Sequence, residues 1–203
     1  MLDRADIRSA HRAGNIAITP WDDDSLRVNS YDLHLHPSVV LYTRRGGERL
    51  DCAKDNPTTT QEIPEDGYDL LPGTLYLLST IEYTETRGFV PWLDGKSSLG
   101  RLGLFVHVTA GRGDDGFCGH WTMEAVVVEP LRVYAGMPVA QVSFFETGSS
   151  PKFPRPPVAP YTYKDIAGSK YAQQGAQPVP SRMHRNFPLP DRWVQAARAL
   201  RTR

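Results

Sequence analysis

The chain has few cysteines, no long apolar run and no excess of either charge, and each shortage excludes a class of protein. Cys52 and Cys118 are the only cysteines in 203 residues. They show no disulfide pattern, so we expect a reduced, cytoplasmic protein. No apolar run approaches the ~18 residues of a membrane span, and charges at positions 3, 4, 6 and 8 stand where a signal peptide needs apolar residues. With 23 basic and 23 acidic residues, the charge favours neither a nucleic acid nor a membrane as partner.

What the chain does have is a succession of short strand-like runs. They are rich in Val, Tyr, Leu and Thr, and Pro and Gly interrupt them throughout residues 15–148. This spacing is typical of an all-β barrel or sandwich. The predicted strands include His34–Tyr42, Thr74–Tyr83, Leu104–Thr109, Trp121–Val128 and Val139–Phe145.

The two ends of the chain have a different pattern. A short helix is predicted over residues 3–13, with Gly14 ending it. Residues 149–160 hold five prolines and predict a stiff connector, and the polar residues 161–187 predict a lid. Residues 190–203 predict a C-terminal helix that Asp191 caps. We therefore expect a β domain at 1–148, a connector and lid at 149–187, and a helical extension at 188–203.

Two features within residues 95–124 indicate chemistry. The turn from Gly95 to Arg101, GKSSLGR, combines cations, hydroxyls and glycines, as a polyphosphate site requires. It lacks the GxxxxGK[ST] spacing of a P-loop, and taken alone it is more often a solvated turn. Glu124 lies in a strand-like run, on one face with Thr122 and Val126. A carboxylate among valines is costly unless it is paired or functional, although an edge-strand acid facing water is the plainer reading.

Together these motifs resemble the dCTP deaminase branch of the dUTPase-like superfamily. The branch reads roughly G-[RK]-S-S-L-[AG]-R-L-G-L, H-x-T-A, D-x-G-[FW]-x-G and [LM]-E, and this chain carries the same order from Gly95 to Glu124. Further matches extend over most of the chain, beginning near Asp6-Ile7, including Val28-Asn29-Ser30-Tyr31-Asp32-Leu33 and ending with Pro180-Ser181-Arg182. The resemblance implies a mostly β, distorted barrel of the dUTPase-like type, with a short N-terminal helix and a C-terminal lid and helix.

The resemblance also implies an activity, the hydrolytic deamination of dCTP to dUTP and ammonia. Some members continue to dUMP and diphosphate, and Gly111 after Ala110 favours that two-step type because a small residue leaves room for a second water. A dUTPase-type diphosphohydrolase and a non-catalytic nucleotide-binding trimer remain alternatives. The residues alone do not decide between dUTP and dUMP, the preference for modified cytosine bases, or regulation by dTTP.

Individual residues take roles by the same resemblance. Glu124 would move protons, and Ser97, Arg101 and the backbone at Ala110 would complete the catalytic group. Asp114 matches the residue that holds the 3′-hydroxyl of the sugar. The lid would supply Tyr161, Lys170 and Gln174, with Gln173 as an alternative to Gln174. The full set of implied substrate-binding residues is Lys96, Ser98, Leu99, Gly100, Asp114, Thr122, Met123, Gln141, Tyr161, Lys170 and Gln174.

Cofactors and assembly follow from the resemblance too. Mg²⁺ is expected through the nucleotide triphosphate, with no metal ligand from the protein. Zinc is not expected, because the chain has neither the H-x-E nor the C-x-x-C of zinc-dependent deaminases. Partners are expected to be dCTP and dUTP, with dTTP as an inhibitor, and two further copies of the chain in a homotrimer with shared sites.

The chain departs from the family pattern in the turn after Ala110. Where the family usually has Ile-Asp-Pro-Gly, this chain has Gly113-Asp114-Asp115-Gly116. The missing Ile and Pro loosen the turn that faces the sugar, and Asp115 adds a carboxylate. The resemblance therefore leaves the sugar preference open.

Overall fold

The computed structural model describes residues 1–44, 48–147 and 175–186, together with residues 188, 191 and 195. Its helices are α1 (Arg4–Arg12) and the four-residue α2 (Ser97–Gly100), and 3-10 turns lie at Asp23–Ser25 and Met183–Asn186. The strands are β1 (Ile16–Thr19), β2 (Tyr31–His34), β3 (Ser38–Tyr42), β4 (Thr58–Glu62), β5 (Tyr68–Leu70), β6 (Tyr76–Thr86), β7 (Phe89–Gly95), β8 (Leu104–Phe105), β9 (Cys118–Val127), β10 (Leu131–Val133) and β11 (Pro138–Glu146).

The N-terminal helix forms where its sequence predicts it. The Asp3 carboxylate accepts a hydrogen bond from the Asp6 N–H at 2.9 Å, which satisfies one of the free donors of the first turn. Ile7 and Ala10 are buried, so the apolar stripe of α1 packs on the core. Gly14 ends the helix with φ of 75°, a left-handed conformation that glycine adopts without strain.

All recorded strand pairs are antiparallel, and they form three sheets. The largest has the order β4-β3-β6-β9-β8, with β1 also on β6; the second is β2-β11-β7 and the third β10-β5. This confirms the predicted mostly β fold. Two predicted strands are shorter than expected. Leu104–Thr109 is reduced to the two residues of β8, and His34–Tyr42 is interrupted around Pro37, which has no N–H to donate to a ladder.

The β6–β9 pair positions the candidate acid. Leu77 lies opposite Glu124 and Ser79 opposite Thr122, and the register shifts between Ser79 and Tyr83. The Thr80 hydroxyl stabilises this irregularity, since it donates to the Glu82 carbonyl at 2.9 Å and accepts from the Trp121 N–H at 3.0 Å. The register of β9 ahead of Glu124 is therefore fixed by buried hydrogen bonds.

Apolar side chains from both large sheets meet in one core. Its fully buried members include Ile7, Ile16, Ile18, Leu33, Leu78, Met123, Val142 and Phe144. Contacts divide the chain into two compact units, Met1–Leu41 with Thr60–Val179, and Tyr42–Thr59 with Pro180–Arg203. The domain boundaries predicted at 148 and 187 lie outside the described residues and stay predictions. In the part of the chain that the structure describes, no helix is long and apolar enough to cross a bilayer.

Candidate functional site

The turn after β7 presents its polar residues to solvent. α2 begins at Ser97 directly after Lys96, and backbone N–H groups of Leu99 and Gly100 both donate to the Lys96 carbonyl at 2.9 Å. The Leu99 side chain is buried and anchors the turn, whereas Ser97, Ser98, Gly100 and Arg101 are exposed. The hydroxyls and the guanidinium of the motif are thus accessible to a ligand, and Leu99 can offer only its backbone.

Gln141 fixes the base of this turn. Its Nε2 donates to the Gly95 carbonyl at 3.1 Å, and its Oε1 accepts from the Ser30 hydroxyl at 3.1 Å. Gly95 also lies opposite Ala140 in the β7–β11 ladder. The predicted triphosphate contact Gln141 therefore lies beside the turn, with its amide engaged in positioning Gly95.

Lys96 pairs with a buried acid. Its Nζ lies 2.5 Å from Oδ1 of Asp32, whose side chain is 1% exposed. This contact is an ion pair, and Oδ1 has no hydrogen-bond partner among the described residues. Arg27 holds the other carboxylate oxygen, donating from Nε to Oδ2 at 2.7 Å. One carboxylate thus lies between two cations next to the candidate phosphate turn.

Glu124 lies on the half-buried face of β9. Along this strand Thr122, Glu124 and Val126 are partly exposed, while Trp121, Met123, Ala125 and Val127 are buried, as the alternating pattern predicts. Burial raises the pKa of Glu124 above its ordinary value, and hydrogen bonds from the backbone at Glu124 and Val108, with the charge of His107, only partly oppose this. A carboxyl group with a raised pKa holds its proton more readily than an exposed one does, which suits it to proton transfer.

The segment that follows β8 packs against β7 beside Glu124. His107 Nε2 lies 3.6 Å from the Asp94 carboxylate, and the Leu93 N–H donates to the Gly111 carbonyl at 2.6 Å. Gly111 is buried, and a Cβ there would lie 2.4 Å from the Leu93 carbonyl oxygen. Ala110, the residue before Gly111, is exposed. Only glycine fits at position 111 without a backbone shift.

The two carboxylates of the turn at residues 113–116 have different surroundings. Asp115 accepts from the Gly88 N–H at 2.7 Å and from the Thr147 hydroxyl at 2.9 Å. Asp114 is exposed, and its carbonyl accepts from the Phe117 N–H at 2.9 Å. The additional carboxylate of this chain thus connects the turn to neighbouring strands, which leaves Asp114 at the position that matches the sugar contact.

Thr122 and Met123 differ in what they offer a ligand. The Met123 side chain is fully buried, so only its backbone is available. The Thr122 hydroxyl accepts from the Val179 N–H at 3.1 Å, and the Ser79 hydroxyl opposite it donates to the Ala176 carbonyl. Residues 176–179 therefore lie across the β6–β9 pair on the face that carries Glu124.

The described site residues fall into two groups within one chain. Lys96 and Gln141 are joined through Gly95, Ser30 and Asp32, while Glu124 is associated with the segment containing His107 and Val108. The predicted lid residues Tyr161, Lys170, Gln173 and Gln174 lie outside the described residues.

Sequence reasoning missed two side chains near these groups. Arg27 carries no motif signal, since a lone arginine before a strand is ordinary, and only the fold brings it to Asp32. A histidine in a strand-like run is more often a packing residue, but His107 lies 3.6 Å from the Asp94 carboxylate and its charge acts on Glu124. Its place within H-x-T-A was the available signal. Among the described residues, no group of three or more His, Cys, Asp or Glu side chains is arranged to hold a metal ion.

Comparison with known proteins gives a consistent result. A family model described as dCTP deaminase-like matches residues 1–147. A protein of Leptospira biflexa named "dCTP deaminase, dUMP-forming" is 44% identical over 173 residues, which cover 85% of this chain and 90% of that protein. A protein of the same name from Cytophaga hutchinsonii is 51% identical over 133 residues, covering 66% and 75%. A "dCTP deaminase" of Rhodopirellula baltica is 40% identical over 197 residues, covering 96% and 90%.

A solved structure supports the fold. The crystal structure of 2′-deoxycytidine 5′-triphosphate deaminase from Agrobacterium tumefaciens superposes with a TM-score of 0.56 at 19% identity. The match covers 70% of this chain and 47% of that one, so it spans about half the length of the solved chain. At this identity the likeness shows a shared fold.

Proposed function

This chain belongs to the dCTP deaminase-like family, and on that premise we propose that it deaminates dCTP to dUTP and continues to dUMP and diphosphate. The observation that carries the proposal is Glu124, which lies on strand β9 beside the H-x-T-A segment. Its carboxyl group is half-buried, and this burial raises its pKa. Relatives at 44% and 51% identity are named as dUMP-forming.

In the deamination step, water attacks C4 of the cytosine ring. Glu124 accepts a proton from this water, N3 of the ring gains a proton, and the C4–N4 bond breaks with loss of ammonia after a proton reaches the amino nitrogen. A carboxyl group with a raised pKa suits this work because it must hold the proton between transfers. General acid–base catalysis contributes ~10²–10⁴-fold, so further groups are needed. We assign water positioning and oxyanion stabilisation to Ser97 and the backbone at Ala110.

The phosphates are proposed to lie over the turn from Lys96 to Arg101. Lys96 and Arg101 supply positive charge, and Ser97 and Ser98 present exposed hydroxyls. Gln141 keeps Gly95 in place beneath them. Asp114, which is exposed, is assigned to the 3′-hydroxyl of the sugar, because Asp115 is engaged with Gly88 and Thr147.

The nucleotide is proposed to arrive as its Mg²⁺ complex. Asp32, the buried acid beside the turn, already pairs with Arg27 and Lys96 and so offers no unpaired carboxylate. This arrangement fits an ion that the phosphate oxygens themselves coordinate, and when bound it neutralises part of their charge. Lys96 and Ser98 would then hold the complex through its phosphates. No step is assigned to zinc, because no described cluster provides its usual ligands.

The second step is proposed to be attack of another water on the α-phosphorus, which breaks the bond to the β-phosphate and releases diphosphate. Its support is the small residue Gly111 after Ala110, which resembles the two-step members, and the relatives named as dUMP-forming. In the fold, Gly111 packs against the Leu93 carbonyl and the His107 ring, so it also shapes the segment that carries Ala110.

The assembly is proposed to be a homotrimer with shared sites. The edge strand β8 carries Phe105, which is 56% exposed. Leu102, just before β8, and Val128, just after its partner strand β9, are 55% and 59% exposed. Exposed apolar residues on a sheet edge favour burial against another copy.

We also propose that residues 161–187 close over the nucleotide and that dTTP inhibits by using the same phosphate and sugar contacts. The free thiols Cys52 and Cys118 support a cytoplasmic location.

Incubation with dCTP and Mg²⁺, followed by chromatography that resolves dCTP, dUTP and dUMP, tests the function. We expect dUMP and ammonia in equal amounts, with little dUTP during the reaction. Accumulation of dUTP would restrict the chain to deamination. Hydrolysis of added dUTP with no loss of dCTP would indicate a dUTPase instead, and binding without any turnover would indicate a nucleotide-binding protein.

A further inference from the structure

Asp32 is the most deeply buried acid next to the candidate phosphate turn. Its side chain is 1% exposed, and Lys96 Nζ lies 2.5 Å from its Oδ1. A buried carboxylate attracts an ammonium group strongly because little water screens the pair. Lys96 is itself only 19% exposed, so the group that should bind phosphate is held by an internal anion.

Arg27 changes the charge balance of this pair. Its Nε and Nη2 both lie 2.7 Å from Oδ2 of Asp32, while its side chain stays 55% exposed. Two cations therefore share one anion, and the group carries one net positive charge. Because Arg27 uses Oδ2 and Lys96 uses Oδ1, the two cations do not compete for the same oxygen.

Arg27 changes the free-energy cost of moving Lys96 from Asp32 to an incoming phosphate. If Lys96 were the only partner of Asp32, moving the ammonium toward phosphate would leave a buried carboxylate unpaired beside another anion, which is strongly unfavourable. With Arg27 in place, Asp32 keeps a charge-assisted pair when Lys96 turns to the phosphate. The planar guanidinium is suited to this task because two of its nitrogens reach one oxygen in a fixed geometry.

We propose that Arg27 is a positioning residue for phosphate binding: it neutralises Asp32 and so allows Lys96 to transfer from Asp32 to the phosphates. The inference rests on the proposed function only in placing phosphate at the Lys96 turn. Arg27 acts through Asp32 and does not itself contact the nucleotide.

Binding of inorganic tripolyphosphate, measured by calorimetry, tests the inference without any turnover. Arg27→Met should weaken tripolyphosphate binding about tenfold, as expected when a buried charge loses its partner on binding. Arg27→Lys, which keeps the charge, should recover most of the affinity. The matched control is Arg132→Met, since Arg132 holds Asp69 through two nitrogens at 2.7 and 2.8 Å on the exposed surface; its affinity should equal that of the wild type.

A double-mutant cycle with Asp32→Asn separates the proposed role from a direct contact. Without the carboxylate, no buried anion is left unpaired when Lys96 moves to the phosphate, so Arg27→Met should change the affinity of the Asp32→Asn protein less than twofold. The double variant also removes both charges together, which keeps the test valid if Arg27→Met alone folds poorly. An equal loss from Arg27→Met in both backgrounds would mean that Arg27 binds phosphate directly and would overturn the inference.

In steady-state assays Arg27→Met should raise KM for dCTP about tenfold and leave kcat within about twofold, because Glu124 is not involved. An unchanged Kd for tripolyphosphate, or no tripolyphosphate binding by the wild type, would refute the inference. Absence of deamination by the wild-type protein, with tripolyphosphate affinities of wild type and variants as expected here, would instead refute the proposed function.

Discussion

At the scale of single residues, Glu124 combines an accessible position with an unfavourable environment for its charge. It lies on the partly exposed face of β9, and burial raises its pKa. Glu124→Gln keeps the shape of the side chain but removes its ability to accept a proton, so we expect deamination to fall by at least ~10²-fold. Release of ammonia from dCTP measures this, and dCTP binding should be retained. Glu129→Gln, a change at an exposed glutamate on the same chain segment, is the control and should keep full activity.

The same substitution has a consequence for stability. Since the folded-state pKa of Glu124 is raised, the folded chain binds this proton more tightly than the unfolded chain does. The ionised carboxylate therefore lowers stability at neutral pH, and this effect disappears as the pH falls toward the ordinary value of 4.5. Melting curves should show Glu124→Gln slightly more stable than the wild type at pH 7, with the difference shrinking in acid. A difference that grows in acid would contradict the raised pKa.

At the scale of elements, the turn between His107 and β9 carries two carboxylates with different surroundings. Asp115 connects the turn to Gly88 and Thr147, next to the ends of β7 and β11. Asp115→Ala should lower the free energy of unfolding by about 2 kcal/mol, because two hydrogen bonds to a charged group are lost. For a chain of this size the melting temperature would fall by ~4–8 °C.

Asp114→Ala is the matched comparison for the same turn. Asp114 is exposed, so its removal should hardly change the melting temperature. Its assigned contact with the 3′-hydroxyl predicts a higher KM for dCTP, measured together with a 3′-deoxy analogue that should show no further loss. If Asp115→Ala raised KM without destabilising the fold, the assignments of the two residues would have to be exchanged.

At the scale of the whole molecule, the proposed homotrimer with shared sites can be tested directly by mass and by subunit mixing. Light scattering should give about three times the 22.7 kDa mass of the chain. Mixing subunits that carry Glu124→Gln with subunits that carry Arg101→Ala provides a stricter test. If each site takes these two residues from different subunits, random trimers from an equal mixture should recover about one quarter of the wild-type activity.

The outcome depends on which chains supply the two residues. Each variant alone should be inactive. Mixed trimers are obtained by refolding the two variants together or by co-expressing them, so that subunits of both kinds assemble. No recovery, with mixed trimers demonstrated by two different affinity tags, would place both residues in one subunit. A monomeric mass would remove the trimer from the proposal.

The sequence by itself determined the β class, the N-terminal helix and the family. These depend on local patterns: alternation along β9, the Asp3 cap with Gly14 at the far end of α1, and an ordered set of short motifs. Each of these can be recognised without knowing which strand lies beside which. The same patterns overestimated the length of β8. The apolar run after Leu104 fits a strand, but it equally fits the irregular segment that packs against β7 after Phe105.

Only the tertiary structure decided which polar groups are already engaged. Ser30 and Gln141 are 111 residues apart in sequence, and Asp115 meets Gly88 across 27 residues. No local pattern predicts such pairings, because they depend on strand order and register, which long-range packing selects. The pairing of Arg27 with the buried Asp32 depends on how the loop before β2 folds back on that strand, and that of Lys96 on the same acid depends on the strand order. The physical reason is that a residue's type sets what its side chain can bind, whereas the fold sets which partners come within reach.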